Sequence, residues 1–412
     1  MTSDLNQALR GAYAAAGSEP HLSLMQGFPP APADLVTWGN FMRPPYNRWA
    51  FHNLGRLRPT ISVERGTGVP APLDASTPHL ESFEFLGAHG EAVSLAAHLQ
   101  ASATDGWLVM KDGAVVQERY FNGHQPLKRH IMFSVTKSLV GMLAQGMVHS
   151  GELNEQALAA DYVGELAGSA FGDATVRQLL DMAVAIDYEE IYDDPTSGSS
   201  QFGYACGLTL PPAQVTATYA SLYEYLPATR KKGEHGGFFH YVTATTEALA
   251  WVMERASGRS CAQQLADTWQ GLGCERDGFF VADPWGRNVA GAGFNATLRD
   301  MARYGSMLLK RGAANGRQLL PAAVIDSVLA GGDPAVYASN EVFSSWSPGA
   351  TYRSQWYVYP GEALLAVGIH GQYLYVDFQR QVVIVKQSSL PVAESVLDID
   401  TLRLIRALAV AL

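Results

Sequence analysis

Cysteine is scarce in this chain, with three residues, Cys206, Cys261 and Cys274, among 412. An odd number without metal-ligand spacing excludes a disulfide framework and fits reduced thiols in a reducing compartment. Charge is also thin. Asp, Glu, Lys and Arg make up 17% of the residues, and the net charge of −10 is spread without long like-charge runs. No basic patch is interleaved with aromatics, so nucleic acid is not an expected partner. No apolar run is long enough to span a membrane, and Met1 to Glu19 lacks a cationic segment followed by an apolar one. No membrane partner is therefore expected, and the cytoplasm is the expected location. Three common catalytic signatures are missing too: the Gly-x-Ser-x-Gly elbow, the His-Glu-x-x-His zinc pair and a phosphate-binding loop. No metal or other cofactor is expected.

What the chain does have is 47% hydrophobic residues, ample for a large core in one two-lobed unit or two domains. Residues 1–75 carry Phe28-Pro29-Pro30-Ala31-Pro32, Met42-Arg43-Pro44-Pro45 and a Gly66 to Pro78 loop signal, and are expected to form an irregular arm. Trp107 to Met110 and Ala114 to Tyr120 flank Lys111-Asp112-Gly113, the signature of a hairpin. Helical patterns follow at Asn154 to Leu166, Val176 to Ala185, Val215 to Leu226, Thr245 to Ala256, Cys261 to Gly271 and Leu298 to Gly312. Strand patterns return at Gln355 to Tyr359, Ala363 to Gly368, Tyr373 to Phe378 and Val382 to Gln387, before an amphipathic helix through Leu402, Ile405, Ala409 and Leu412. The expected fold is α/β in the α+β sense. One antiparallel sheet lobe comes from residues 76–135 and 345–412, flanked by helices, with a mainly helical lobe from 136–344 inserted and the site at the seam.

The chemistry gathers at Phe133-Ser134-Val135-Thr136-Lys137-Ser138-Leu139-Val140. In a helix, Ser134 and Lys137 share one face about a turn apart. Leu139, Val140, Met142, Leu143, Met147 and Val148 leave no polar stripe, so the helix is expected to be buried on most sides and to stop at Gly151. A serine at its start places its hydroxyl and N–H at the positive end of the dipole. Apolar walls penalise the charged form of the lysine. A buried lysine without a partner would be costly to fold around, which disfavours a purely structural role.

Ser134-Val135-Thr136-Lys137, then Tyr241-Val242-Thr243, then Gly368-Ile369-His370-Gly371-Gln372 resemble, in order and spacing, the three motifs of the serine β-lactamase and penicillin-binding superfamily. Asn47 to His52, Asp187 to Pro195 and Gly368 to Gln372 resemble the 6-aminohexanoate-dimer (nylon-oligomer) hydrolases, relatives of class C β-lactamases and family VIII carboxylesterases. The resemblance implies a β-lactamase/transpeptidase-like fold, with Ser134 as nucleophile and Lys137 and Tyr241 as its proton relay. It implies an oxyanion hole from the N–H groups of Ser134 and Ile369, and Tyr192, Gly368, His370 and Trp356 along the substrate. If Gly371 takes the motif glycine's place, Gln372 replaces Ile369.

Two positions depart from the superfamily pattern: Thr243 stands where Asn is usual and, if Gly368 is the motif glycine, Ala366 stands where a lysine would meet a penicillin carboxylate. The missing cation favours an acyl substrate without an anion at that point. Neither His240 nor His370 reads as a metal ligand. The acidic loop of Glu189, Glu190, Asp193 and Asp194 has three readings: a solvated face, a metal site lacking EF-hand spacing, or the counter-charge for a substrate ammonium beside the Tyr192 hydroxyl. The expected function is hydrolysis of a linear amide through an acyl-enzyme. A short-chain carboxylesterase or β-lactamase-like activity is the alternative, and an idle ligand-binding scaffold is the non-enzyme one. A small amide or ester is the expected partner, and a homodimer is compatible with the chain.

Overall fold

The computed structural model describes residues 2–15, 23–76, 80–188 and 194–412. Asp112 and Gly113 both take positive φ, so the strands Thr104–Lys111 and Ala114–Tyr120 form the tight hairpin that an Asp-Gly pair encodes. Thr104–Lys111 also pairs with Val382–Ser388, and this closes a seven-stranded antiparallel sheet from two distant parts of the chain. Its order is Thr351–Arg353, Trp356–Tyr359, Ala363–Gly368, Gln372–Asp377, Val382–Ser388, Thr104–Lys111, Ala114–Tyr120.

Both faces of this sheet are covered. Leu108, Met110, Leu364 and Leu374 point into one core with Leu139 and Met142 of the helix Val135–Ser150 and Met301 and Leu308 of the helix Leu298–Leu309. Their strand neighbours Trp107, Val109, Leu365 and Tyr375 point into a second core with Leu404, Ile405 and Leu408 of the helix Leu397–Ala411. The period of two is intact, yet both sets are apolar because neither faces water.

The helix Val135–Ser150 lies between two cores. Val135, Leu139 and Met142 serve the sheet side, while Val140, Ala144 and Met147 pack with Leu179, Leu180, Leu249 and Val252 of the helical region. Hence it has no polar stripe. Gly151, at φ 79°, ends it in the left-handed conformation that glycine adopts without strain.

Several elements differ from expectation. The arm is regular in two places: Thr2–Ala15 is a helix whose Leu9 is fully buried near Leu390 and Leu397, and Thr60–Val63 is a strand. That strand belongs to a second antiparallel sheet, in the order Thr60–Val63, Gly278–Val281, Phe294–Ala296, His130–Ile131. The patterns at 154–166 and 215–226 yield the short helices Ala159–Tyr162 and Leu222–Tyr225 with the 3-10 turns Gly164–Leu166 and Leu226–Ala228, while Gly198–Ala205, capped by Ser197, is an additional helix. Among the described residues no helix is long and apolar enough to cross a membrane.

Candidate active site

The strand His130–Ile131 delivers the chain to a turn in which Phe133 takes φ 43°, a conformation uncommon for a bulky residue. The Phe133 ring is held edge-on by Phe51 at 5.0 Å and tilted against His370 at 5.4 Å. Packing therefore enforces a backbone shape that Phe133 would not choose alone. The turn sets Ser134 at the N-cap of Val135–Ser150.

Lys137, one turn on, is 1% exposed. Its Nζ donates to Ser134 Oγ at 2.7 Å and to the Gly291 carbonyl at 2.8 Å, and lies 5.1 Å from the Tyr241 ring centre. Tyr241 precedes the helix Thr243–Ser257, and its ring stacks with Phe343 at 5.4 Å and Tyr357 at 6.4 Å. Three segments distant in sequence thus meet around one hydroxyl.

The opposite wall is the end of the strand Ala363–Gly368. A Cβ built on Gly368 would fall 2.5 Å from the Met132 carbonyl and 3.0 Å from the Ser134 nitrogen, so only glycine lets this strand come so close. Among the described residues, neither the Ser134 nor the Ile369 N–H donates to a backbone carbonyl in the turns and loops. The Gly368 register, rather than that of Gly371, is the one beside the serine. Gln372 is buried and ties the hairpin together through the carbonyls of His370 and Ser388, at 3.1 and 2.7 Å.

Ser134 and Tyr241 open onto a cavity of about 550 Å³, walled by Phe343, Trp346, Val367 and Ile369 and, at another side, by Glu394 and Asp398. No Lys, Arg or His lines it among the described residues. Burial pushes the Asp398 carboxyl up, against the N–H of Ser395, the Tyr373 hydroxyl and the Lys386 charge, which pull it down. Ala366 faces the core between the sheet and Val135–Ser150.

Two expected substrate contacts are corrected. Trp356 is fully buried in the sheet core and does not reach the cavity, because its strand turns that side chain toward Val135–Ser150. His370 is buried behind Phe133, where its Nδ1 meets the Leu390 carbonyl at 2.7 Å and burial lowers its pKa to about 4. It supports the turn rather than the substrate. Tyr192 and the loop residues Glu189, Glu190 and Asp193 lie outside the described residues. Asp194 is exposed and accepts from the N–H and hydroxyl of Thr196, each at 2.8 Å.

Sequence reasoning missed Glu247, Phe343, Glu394 and Asp398. Glu247, on the helix Thr243–Ser257, is 4% exposed, and its two carboxylate oxygens accept from the N–H groups of Ala290 at 3.0 Å and Gly291 at 2.7 Å. A signal existed, since Glu247 is the one carboxylate in the apolar run Ala244 to Met253. Phe343 sits in the short helix Glu341–Trp346, Glu394 in a loop, and Asp398 in the first turn of the helix Leu397–Ala411, ahead of its apolar repeat. The three cysteines are free and buried. Among the described residues no group of three or more His, Cys, Asp or Glu is arranged to hold a metal ion.

A two-faced antiparallel sheet, an adjoining helical region and a serine–lysine pair heading the helix between them define a class, the serine hydrolases of the β-lactamase family. The chain belongs to that family, whose description "Beta-lactamase" matches residues 93–407. More particularly, it is 34% identical over 367 residues to the 6-aminohexanoate-dimer hydrolase of Paenarthrobacter ureafaciens, covering 88% of this chain and 91% of that relative. A solved Bacillus anthracis structure named for 6-aminohexanoate-dimer hydrolase superposes with a TM-score of 0.82 at 28% identity, covering 92% of this chain and 98% of that one. A family VIII carboxylesterase shares the fold, with a TM-score of 0.56 at 16% identity over 74% of this chain and 92% of its own.

Proposed function

We propose that the protein hydrolyses short linear amides carrying a free amino end, of the 6-aminohexanoate-dimer type, through an acyl-enzyme on Ser134. The observation that carries this reading is the 2.7 Å contact of Lys137 Nζ with Ser134 Oγ beside a cavity that Tyr241 also lines. Ser134 Oγ attacks the amide carbonyl carbon, and its proton passes to the Lys137/Tyr241 relay. The carbonyl oxygen, now an oxyanion, is received by the N–H groups of Ser134 and Ile369. As the C–N bond breaks, the relay returns the proton to the leaving amine. Water then attacks the ester carbonyl, gives up a proton to the relay and releases the acid, and the proton returns to Ser134.

Substrate class is supported by what lines the cavity. Two carboxylates and, among the described residues, no cation favour an ammonium over a carboxylate, and the apolar wall of Phe343, Trp346, Val367 and Ile369 suits a methylene chain. The Paenarthrobacter relative is named for such a dimer. A short-chain ester is the second reading, favoured by the same apolar wall.

The test is kcat/KM for a panel of ω-amino-acid dimers, short p-nitrophenyl esters, benzylpenicillin and a cephalosporin. Linear amides or uncharged esters should exceed the β-lactams by at least ~10²-fold, since a desolvated carboxylate without a partner costs several kcal/mol. Efficient β-lactam turnover would overturn the substrate assignment.

A further inference from the structure

Lys137 Nζ donates to the Gly291 carbonyl as well as to Ser134 Oγ, and the mechanism accounts only for the serine contact. The Gly291 carbonyl lies between the strands Gly278–Val281 and Phe294–Ala296, in a turn that the Gly293 N–H closes on the Val289 carbonyl at 2.8 Å and that a second element braces from outside. Glu247 is that brace. Its two oxygens take the consecutive N–H groups of Ala290 and Gly291, so the carboxylate and the lysine amine grip opposite sides of one short stretch of backbone. The fit leaves no slack. A Cβ on Gly291 would lie 2.7 Å from Thr243 Cγ2 and 3.1 Å from Glu247 Oε1.

We propose that Glu247 is a positioning residue for Lys137: it holds the backbone whose Gly291 carbonyl aims the amine at Ser134 Oγ. The inference rests on the reading of Lys137 as part of the proton relay and adds a residue one step behind it. Thr243 stands where the superfamily's usual motif has Asn, and here a buried carboxylate orders the lysine's surroundings from the next turn of the same helix.

The electrostatics agree with the geometry. Burial pushes the Glu247 carboxyl up to about 8, the two N–H donors and the Lys137 charge pull it down, and Asp283 pushes it up. The other groups facing it are the buried thiols of Cys206 and Cys261, while Glu254, Arg287 and Tyr223 share a small cavity with it. Lys137 is the charged group whose ammonium an ionised Glu247 would favour. Above pH about 8, where Glu247 is ionised, taking that negative charge away disfavours the ammonium, so Lys137 gives up its proton at lower pH.

The experiment measures the rate of fluorophosphonate labelling of Ser134 against pH, from pH ~5 to ~10, which needs no knowledge of the substrate and brackets the reference lysine and tyrosine ranges. Glu247→Gln should move the midpoint of the limb that reports Lys137 to lower pH by at least roughly half a unit. Its plateau should fall at least ~10-fold, because the amide presents a donor where both native oxygens accept. Gly291→Ala displaces the carbonyl without changing any charge, so it should lower the plateau by a similar factor and leave the midpoint in place. Thermal unfolding of each variant accompanies the profiles. A folded Glu247→Gln enzyme whose midpoint superimposes on wild type would overturn the inference, since a merely structural carboxylate would change only stability and rate. If that variant does not fold, Gly291→Ala labelling at the wild-type plateau overturns it instead. Wild-type protein that is not labelled at Ser134 removes the proposed nucleophile and this inference together, whereas labelling with an unmoved midpoint removes the inference alone.

Discussion

Lys137 holds its amine between the Ser134 hydroxyl and the Gly291 carbonyl, so in the proposed relay its removal leaves the serine in place with only Tyr241 to take its proton. Lys137→Ala should lower kcat on a p-nitrophenyl ester by at least ~10²-fold, the scale of a general acid–base group. Tyr241→Phe keeps the stack against Phe343 and Tyr357, so its melting temperature should match wild type while kcat falls by a similar factor. Near wild-type kcat in either folded variant would remove that residue from the relay. The serine–lysine pair was legible because three residues make about one helical turn, a relation that depends on nothing distant. Trp356 was not, since an aromatic in a strand buried on both faces points to either core with no mark of which. Glu247 depends on a contact 43 and 44 residues away, which spacing does not reveal.

At the scale of elements, the helix Val135–Ser150 must cross the sheet end closely. A Cβ on Gly141 would lie 2.1 Å from the Ser354 carbonyl and 2.7 Å from Gln355 Cβ. Gly141→Ala should therefore destabilise the fold by about 2 kcal/mol or more, although alanine is the better helix former, because the clash is with backbone. Urea unfolding checks the direction, and an unchanged or raised midpoint would show that the crossing has room to relax. The helix itself was readable from its apolar circumference. The stretch 215–226 misled because its apolar spacing is helical while Thr216, Thr218 and Ser221 favour local turns, and helix begins only at Leu222–Tyr225, capped by Ser221, running on into the 3-10 turn Leu226–Ala228.

For the molecule as a whole, acid is the expected weakness. Burial holds His52 at about 3, His124 at about 4, His370 at about 4 and His98 well below its ordinary value, so all four stay neutral in the fold. Unfolded histidine takes a proton near pH ~6.5, so the unfolded chain binds more protons below that value. Stability should be complete above that pH and decline as pH falls toward the folded values, by about 2 kcal/mol per histidine at pH ~5. Urea unfolding at the two pH values measures it, and equal midpoints would contradict the buried-neutral assignment. His124→Gln should flatten the dependence by one histidine's share. The large sheet was legible because five of its seven strands run six to eight residues. The second sheet was not, since strands of two to four residues carry too little pattern to distinguish from loop.

Because Val382–Ser388 is hydrogen-bonded to Thr104–Lys111 in the middle of the large sheet, the early hairpin has no inner neighbour until nearly the whole chain has been made. On the ribosome, Ser134 and Lys137 emerge long before the strand ending at Gly368 that walls their pocket. A nascent chain arrested before Ala363 would carry Ser134 and Lys137 at a helix start with no strand over them, beside Thr104–Lys111 as an unpaired edge open to water and to other strands. Protection from aggregation and competence for catalysis therefore arrive together, late in synthesis, with the same few strands.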